Sequence, residues 1–134
     1  MSQASNTSPE TEVLKELLKR CPKGTYEAAL ALRAHKDVAQ VPIIVMGIIE
    51  RHLEPDQKEA LAKGDDEIRL YEDLGVDSLT MLEIVMMVEQ TLQVSIDNEE
   101  LRDLRTIGDV KAYLDAKVKG EKPPKRAKTY RIEE

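Results

Sequence analysis

Apolar residues recur at helical spacing along most of this 134-residue chain. The clearest pattern spans residues 78–92, where apolar side chains recur every three or four positions and are expected to face inward. These inward-facing residues are Leu79, Leu82, Val85, Val88 and Leu92.

A final helix is predicted to begin at Thr106, with Asp109 three positions later. The residues that it would bury are Ile107, Val110, Leu114 and Val118. Between these helices, Asp97 and Glu100 have the spacing of a capping box, which predicts a short helix.

The run from Ile43 to Ile49 is apolar and rich in β-branched residues, so its composition would permit a buried strand. A helix is preferred, because Pro42 suits the first helical turn and no second strand is visible to pair with this one. The segment from Pro55 to Gly75 is polar and acidic, and it is predicted to be a long loop. The apolar residues expected to pin this loop to the core are Ile68, Leu70, Tyr71 and Leu74.

Two short helices are predicted before this bundle. Residues 1–8 form a polar leader expected to be disordered, and Ser8 followed by Pro9 is a good helix start. The apolar stripe of this helix is Val13, Leu14, Leu17 and Leu18. A second helix could be capped by Thr25 and continue to about Lys36. Its predicted inner face is Tyr26, Ala29, Leu30 and Ala34. The two stripes need a cover, so packing on the bundle is favoured over a dedicated partner or a dimer interface.

The predicted fold is therefore all-α: a four-helix bundle with a long first loop, preceded by one or two extra N-terminal helices. The expected division is an N-terminal helical extension over residues 1–40, a main domain over residues 41–118 and a basic flexible tail over residues 119–134.

The chain has a net charge of −6, and this charge is unevenly distributed along it. Residues 43–118 carry 8 basic and 18 acidic side chains, whereas residues 1–42 carry 6 and 5 and residues 119–134 carry 6 and 3. An acidic domain repels nucleic acids and anionic membrane surfaces and attracts basic protein patches. Aromatic residues make up only 3% of the chain, which allows a small aliphatic core but no large aromatic-walled pocket.

Several other classes of site and location are not indicated. The single Cys21 excludes an intramolecular disulfide, and no metal-ligand spacing surrounds it. The first nine residues lack the basic and apolar regions of a signal peptide, and the longest apolar run, residues 41–49, is too short to span a bilayer. We therefore expect a cytoplasmic protein with no integral membrane segment, no nucleic-acid partner and no metal site.

The motif that carries chemistry lies in residues 73–79, which read DLGVDSL. Here the chain resembles the acyl carrier protein family, whose signature is a Gly-x-Asp-Ser-Leu segment that opens the second helix. The resemblance covers roughly residues 43–118. Further matching positions on the recognition helix and after it are Glu83, Val85, Met86, Glu89, Ile96, residues 97–100, Thr106 and Ile107.

This resemblance implies a covalent 4′-phosphopantetheine arm on Ser78. A separate phosphopantetheinyl transferase, which needs a divalent metal, would transfer the arm from coenzyme A, so the chain would be a carrier and not an enzyme. Gly75 would give the approach turn, Asp77 would cap the helix and Leu79 would complete the site. A phosphate ester at a helix N-terminus faces backbone N–H groups and the positive end of the dipole. Without this resemblance, a serine at the start of a helix would be interpreted as an N-terminal helix cap.

The resemblance also implies an acyl load held as a thioester in fatty-acid or specialised lipid or polyketide biosynthesis. Partners, which would include ketosynthase- and acyltransferase-type enzymes, dock on the second helix with basic patches. By position, the contacts here are Leu79, Glu83, Met86 and Glu89, with core packing as the alternative for Leu79 and Met86.

This helix carries fewer acids than is usual in bulk fatty-acid synthesis. Thr80, Met81, Gln90 and Thr91 stand at positions where acidic residues are common in that group. Three methionines, Met81, Met86 and Met87, are expected to make the helix surface softer and more apolar. We therefore predict a narrower set of partners with more apolar contact. An acyl chain could be sheltered among Leu82, Ile96 and Tyr113, with a full core that excludes the chain as the alternative.

Three other functions are alternatives to an acyl carrier. A peptidyl carrier shares the fold and the chemistry, and the acidic balance favours an acyl load over it. A scaffold that had lost the modification would not be expected to keep Asp77, Ser78 and Leu79 intact. The sequence does not support an enzymatic function, because neither His35 nor His52 lies in a recognisable nucleophile–base arrangement.

Overall fold

Helices make up the regular structure that the computed structural model gives to residues 9–121, the part of the chain described below. In chain order they are α1 (Pro9–Leu17), α2 (Thr25–His35), a 3-10 turn (Val38–Gln40), α3 (Val41–Arg51), α4 (Pro55–Ala62), α5 (Ser78–Leu92), α6 (Asn98–Leu101) and α7 (Ile107–Lys119). The prediction of an all-α bundle is confirmed. The predicted leader of residues 1–8 and the tail from residue 122 onward lie outside the described residues.

Helix α3 forms the centre of the bundle and contacts α2, α5 and α7. Its buried side chains are Val41, Ile44, Val45, Ile48 and Ile49, each at most 1% exposed. Pro42 lies in the first turn, where its missing N–H costs no helical hydrogen bond. The choice of a helix over a strand is therefore confirmed, and the β-branched composition reflects burial on several sides.

The two N-terminal helices pack on the bundle, as expected. Leu14 and Leu18 lie in the same hydrophobic core as the residues of α3, as does Leu32 of α2. The closest approach joins α2 to α3: a Cβ placed on Gly47 would lie 2.1 Å from Thr25 Oγ1 and 3.1 Å from Thr25 Cβ. Glycine at position 47 is thus what allows these two helices to touch.

The inner faces of these helices differ in part from the prediction. Val13 is 66% exposed, and Ala34 is also exposed. The buried face of α2 consists of Thr25, Ala28, Ala29 and Leu32. The N-cap of α2 is Gly24 and not Thr25, because Gly24 adopts a left-handed conformation (φ 97°) and Thr25 is drawn into the contact with α3.

Helix α5 buries two of the five residues that were predicted to face inward, Val88 and Leu92, but not the other three. Leu79 and Leu82 are 66% and 50% exposed, and Val85 is half-buried. The buried residues are Met81, Ile84, Met87, Val88, Thr91 and Leu92. The reason is that α5 is apolar on nearly all sides, so spacing alone does not select a face and the contact with α3 decides it. Met81 and Met87 therefore belong to the core and not to a soft surface.

The segment predicted as a long loop contains helix α4. Pro55 stands at its first position, and Glu54 and Gln57 form a capping box that starts it. Sequence patterning missed α4 because four consecutive residues of this eight-residue helix, 56–59, are polar and Leu61 is the one residue that it buries.

Residues 63–77 remain a loop, and backbone hydrogen bonds attach it to the segment before α7. Leu70 N–H donates to Arg105 O at 2.9 Å, and Ile107 N–H donates to Ile68 O at 2.9 Å. Leu70 and Leu74 pin the loop as predicted, both fully buried, whereas Tyr71 is 46% exposed.

The last two helices begin as predicted. Asp97 and Glu100 form a capping box at α6, and Thr106 and Asp109 form one at α7. The burial predicted for α7 holds except at its end, where Val118 is only half-buried. No helix within residues 9–121 is long and apolar enough to cross a membrane.

Candidate functional site

Ser78 is the first residue of α5, and its side chain is exposed. The cap of the helix is the preceding residue, since Asp77 Oδ1 accepts the N–H of Thr80 at 2.8 Å. This hydrogen bond holds the pKa of the Asp77 carboxyl below its usual value. Because Asp77 provides the cap, the Ser78 hydroxyl is not needed for it and remains open to modification.

The approach to Ser78 is a tight turn between two buried anchors. Leu74 and Val76 are 0% and 4% exposed, and Val76 N–H donates to Leu70 O at 3.0 Å. Between them Gly75 has φ +68°, and a Cβ there would lie 2.7 Å from Gln57 Nε2 of α4. The positive φ would strain a residue with a side chain at position 75, so glycine suits this turn. Its role in the approach to Ser78 stays a prediction.

An ion pair that the sequence analysis did not identify stabilises the start of this turn. Asp73 Oδ2 accepts the backbone N–H of Arg69 at 2.8 Å and its Nε–H at 3.2 Å, while Asp73 Oδ1 accepts from Nη2 at 3.1 Å. The Arg69 contacts hold the pKa of the Asp73 carboxyl below its usual range. The i, i+4 spacing of opposite charges was the available signal, but it is common outside functional sites.

The four predicted contact residues of α5 fall into two groups. Leu79, Glu83 and Met86 are exposed on the helix surface. Glu89 is half-buried, and its Oε2 accepts the N–H of Ile96 at 2.8 Å, which ties the α5–α6 loop to the helix. Glu83 is therefore the carboxylate that α5 presents to solvent.

The C-terminal end of α5 has a partner that sequence reasoning missed. The Arg33 guanidinium, on α2, donates to the carbonyls of Gln90 at 2.9 Å and Thr91 at 3.2 Å. These carbonyls lie in the last turn of α5, where a cation is favoured by the helix dipole. The sequence separation of 57 residues explains why no local pattern reveals this contact.

An apolar cavity of about 20 Å³, with room for little more than one water-sized sphere, lies between α5 and its neighbours. Its lining residues are Ile49, Leu70, Met81, Ile84, Val85, Val88, Ile96, Leu104, Val110 and Leu114. Of the three residues predicted to shelter an acyl chain, Ile96 lines this cavity. Leu82 points to the surface, and the Tyr113 hydroxyl donates to Glu100.

The site offers an exposed serine hydroxyl at the N-terminus of a 15-residue helix, next to a turn without side-chain bulk. A phosphodiester fits this position, because the positive end of the helix dipole favours its negative charge. Within residues 9–121, no group of three or more His, Cys, Asp or Glu side chains could hold a metal ion.

Comparison with known proteins points to the same segment. The family model described as the phosphopantetheine attachment site matches residues 47–114. The acyl carrier protein of Exiguobacterium sibiricum is 38% identical over 64 residues, which cover 45% of this chain and 81% of that protein. The acyl carrier protein of Syntrophobacter fumaroxidans is 36% identical over 78 residues, covering 58% of this chain and 91% of that protein. The corresponding Thermotoga maritima protein is 32% identical over 74 residues, or 55% and 86% of the two chains. No solved structure matches this chain significantly.

Proposed function

Because the chain belongs to the acyl carrier protein family, we propose that it carries acyl intermediates on a 4′-phosphopantetheine arm attached to Ser78. The observation that carries this assignment is the exposed Ser78 hydroxyl at the start of α5, with the helix already capped by Asp77. When bound, the arm supplies a terminal thiol that holds the acyl group as a thioester.

The chain's own residues position the hydroxyl for modification. Gly75 leaves the approach open, and the buried Leu74 and Val76 hold the turn in place. A separate phosphopantetheinyl transferase supplies the base that accepts the proton of the Ser78 hydroxyl. The role of the protein is then to present the load, because tethering raises its local concentration at each partner's active site.

A saturated acyl chain would enter the bundle beside α5. The lining of the interior cavity is entirely apolar, and its present volume of about 20 Å³ requires the helices to separate before a chain fits. Met81 and Val85 line this cavity from α5, and the unbranched Met81 side chain can rearrange at low cost. Apolar acyl groups of fatty-acid or specialised lipid and polyketide synthesis are the loads that such a lining suits.

The proposed partners are ketosynthase- and acyltransferase-type enzymes that contact Leu79, Glu83 and Met86. Their exposed positions on α5, next to Ser78 in the chain, support this docking face. A narrow set of partners is supported by the low acidity of the face, because the Glu89 carboxylate is occupied by Ile96 N–H. The cytoplasmic location remains a prediction of the sequence.

Intact-protein mass spectrometry tests the attachment site. The unmodified chain is incubated with coenzyme A, magnesium and a broad-specificity phosphopantetheinyl transferase. The expected result is a gain of one phosphopantetheine group in the natural chain and none in Ser78→Ala. Ser95→Ala is the matched control, because Ser95 is also exposed but lies in the loop after α5, and it should be modified normally. No gain in the natural chain, or a gain in Ser78→Ala, would contradict the proposal.

A further inference from the structure

Helix α1 of the N-terminal extension lies beside the C-terminal half of α5, where two open grooves separate them. One groove, of about 420 Å³, is lined by Leu17 of α1 and by Met86 and Gln90 of α5, among others. The other, of about 410 Å³, is lined by Val13 and Leu17 together with Gln90. The exposed residues of α5 therefore continue without a break onto the extension.

This surface exposes several large apolar side chains. Leu82 and Met86 are 50% and 59% exposed, and Val13 is 66% exposed. Leu79, Leu82 and Met86 are spaced three and four positions apart, so they form one stripe that runs from Ser78 toward α1. We call Val13, Leu17, Met86 and Gln90, which line the two grooves, the composite face.

Charge around the composite face is balanced. Two acidic side chains, Glu10 and Glu83, and two basic side chains, Arg33 and Arg51, line the two grooves. The imidazole of His52 is held in place, with Nδ1 against Ile48 O at 2.9 Å and Nε2 against Arg51 Nη1 at 3.0 Å. A strongly basic surface would therefore find no net negative charge here, in contrast to the acidic domain as a whole.

We infer that α1 and the C-terminal half of α5 form one docking face for an acyl-transferring enzyme whose matching surface is apolar and carries no net positive charge. This inference rests on the proposed carrier function and extends it, because it makes the N-terminal extension a part of partner recognition. A balanced, apolar face favours an apolar partner surface, since a lysine brought against Val13 and Met86 loses hydration at a surface where Arg33 and Arg51 offset the charge of Glu10 and Glu83. Leu17 of α1 and Gln90 of α5 line both grooves, so the partner would contact both helices at these two residues.

Mechanism-based cross-linking to a ketosynthase provides the test. The carrier is loaded on Ser78 with a reactive pantetheine analogue and mixed with a bulk-synthesis ketosynthase. The same enzyme with leucine in place of the docking lysines that face the C-terminal half of α5 is tested in parallel. We expect the natural chain to cross-link at least about threefold faster to the leucine variant, as burial of an additional apolar side chain implies. A minimal acyl carrier protein without an extension should prefer the basic enzyme.

Val13→Asp is the decisive variant, because residue 13 is largely exposed and the change should leave the fold intact. It should remove the preference for the leucine enzyme, whereas Val13→Ile should keep it. The inference is overturned if the natural chain prefers the basic enzyme, if Val13→Asp has no effect, or if sedimentation shows a dimer that Val13→Asp dissociates. Mass spectrometry of the loading step separates this outcome from failure of the carrier function, which would appear as no loading on Ser78.

Discussion

The contact between α2 and α3 predicts that Gly47→Ala destabilises the protein. Position 47 is buried in the middle of α3, and Thr25 opposite it is 2% exposed. A Cβ on residue 47 would lie 2.1 Å from Thr25 Oγ1, 3.0 Å from Cγ2 and 3.1 Å from Cβ. Rotation of the threonine side chain can move Oγ1 and Cγ2, but the Cβ contact at 3.1 Å remains. Relief therefore requires the two helices to move apart.

Two opposing effects determine how much Gly47→Ala changes the free energy of unfolding. Alanine is favoured over glycine inside a helix by about 1 kcal/mol. Overpacking of a filled core costs about 1–3 kcal/mol, and three atoms closer than the ordinary carbon–carbon separation of about 3.5–4.0 Å place this site near the upper end. The expected result is a net loss of about 1–2 kcal/mol in the free energy of unfolding.

Urea unfolding followed by far-UV circular dichroism measures this loss. Ala112→Gly is the reference for helix propensity, because residue 112 is exposed on α7. Gly47→Ala is also made in a Thr25→Gly background, which removes Cβ together with Oγ1 and Cγ2. There its cost should fall by about 1 kcal/mol if the two residues are coupled through this contact. A Gly47→Ala protein that is more stable than the natural one would refute the reasoning.

Three further outcomes are expected. Glu89→Ala should lower the free energy of unfolding by about 1–2 kcal/mol in urea titrations, because it leaves the Ile96 N–H without its acceptor, and Glu89→Gln should cost less. The lowered pKa of Asp77 stabilises the fold above the ordinary aspartate pKa of about 4, so this stability is lost as the pH falls through the lower folded value. Acid titration of Asp77→Asn should therefore show a shallower loss of stability. Deletion of residues 1–40 should uncover α3 and produce binding of a hydrophobic dye such as ANS.

Each of these outcomes can fail in a recognisable way. Equal stability of Glu89→Ala and the natural chain would mean that its carboxylate is free for partners. An unchanged acid profile in Asp77→Asn would mean that the cap carries no pH-dependent stability. A truncated chain that unfolds cooperatively without binding dye would show that α3 needs no cover from the extension.

Local sequence patterns were sufficient to predict most helices and to single out a candidate serine for attachment. Capping spacing and periodicity located α6 and α7, because both signals depend on residues within one turn of each other. The assignment of α3 as a helix also followed from local information at Pro42. The motif of residues 73–79 is contiguous, so its order in the chain already places Ser78 directly after the capping Asp77.

The faces of the helices were decided only by tertiary structure. Helix α5 is apolar on nearly every side, so its packing against α3, α7 and the 63–77 loop decides that Met81 is buried and Leu79 exposed. Long-range contacts likewise bring Arg33 to the end of α5 and Gly47 against Thr25. The sequence by itself thus determined which segments are helical and which serine is the candidate for modification. Which surfaces the helices present to solvent depended on packing between residues distant in the chain, since periodicity records spacing and not the neighbour that covers each side.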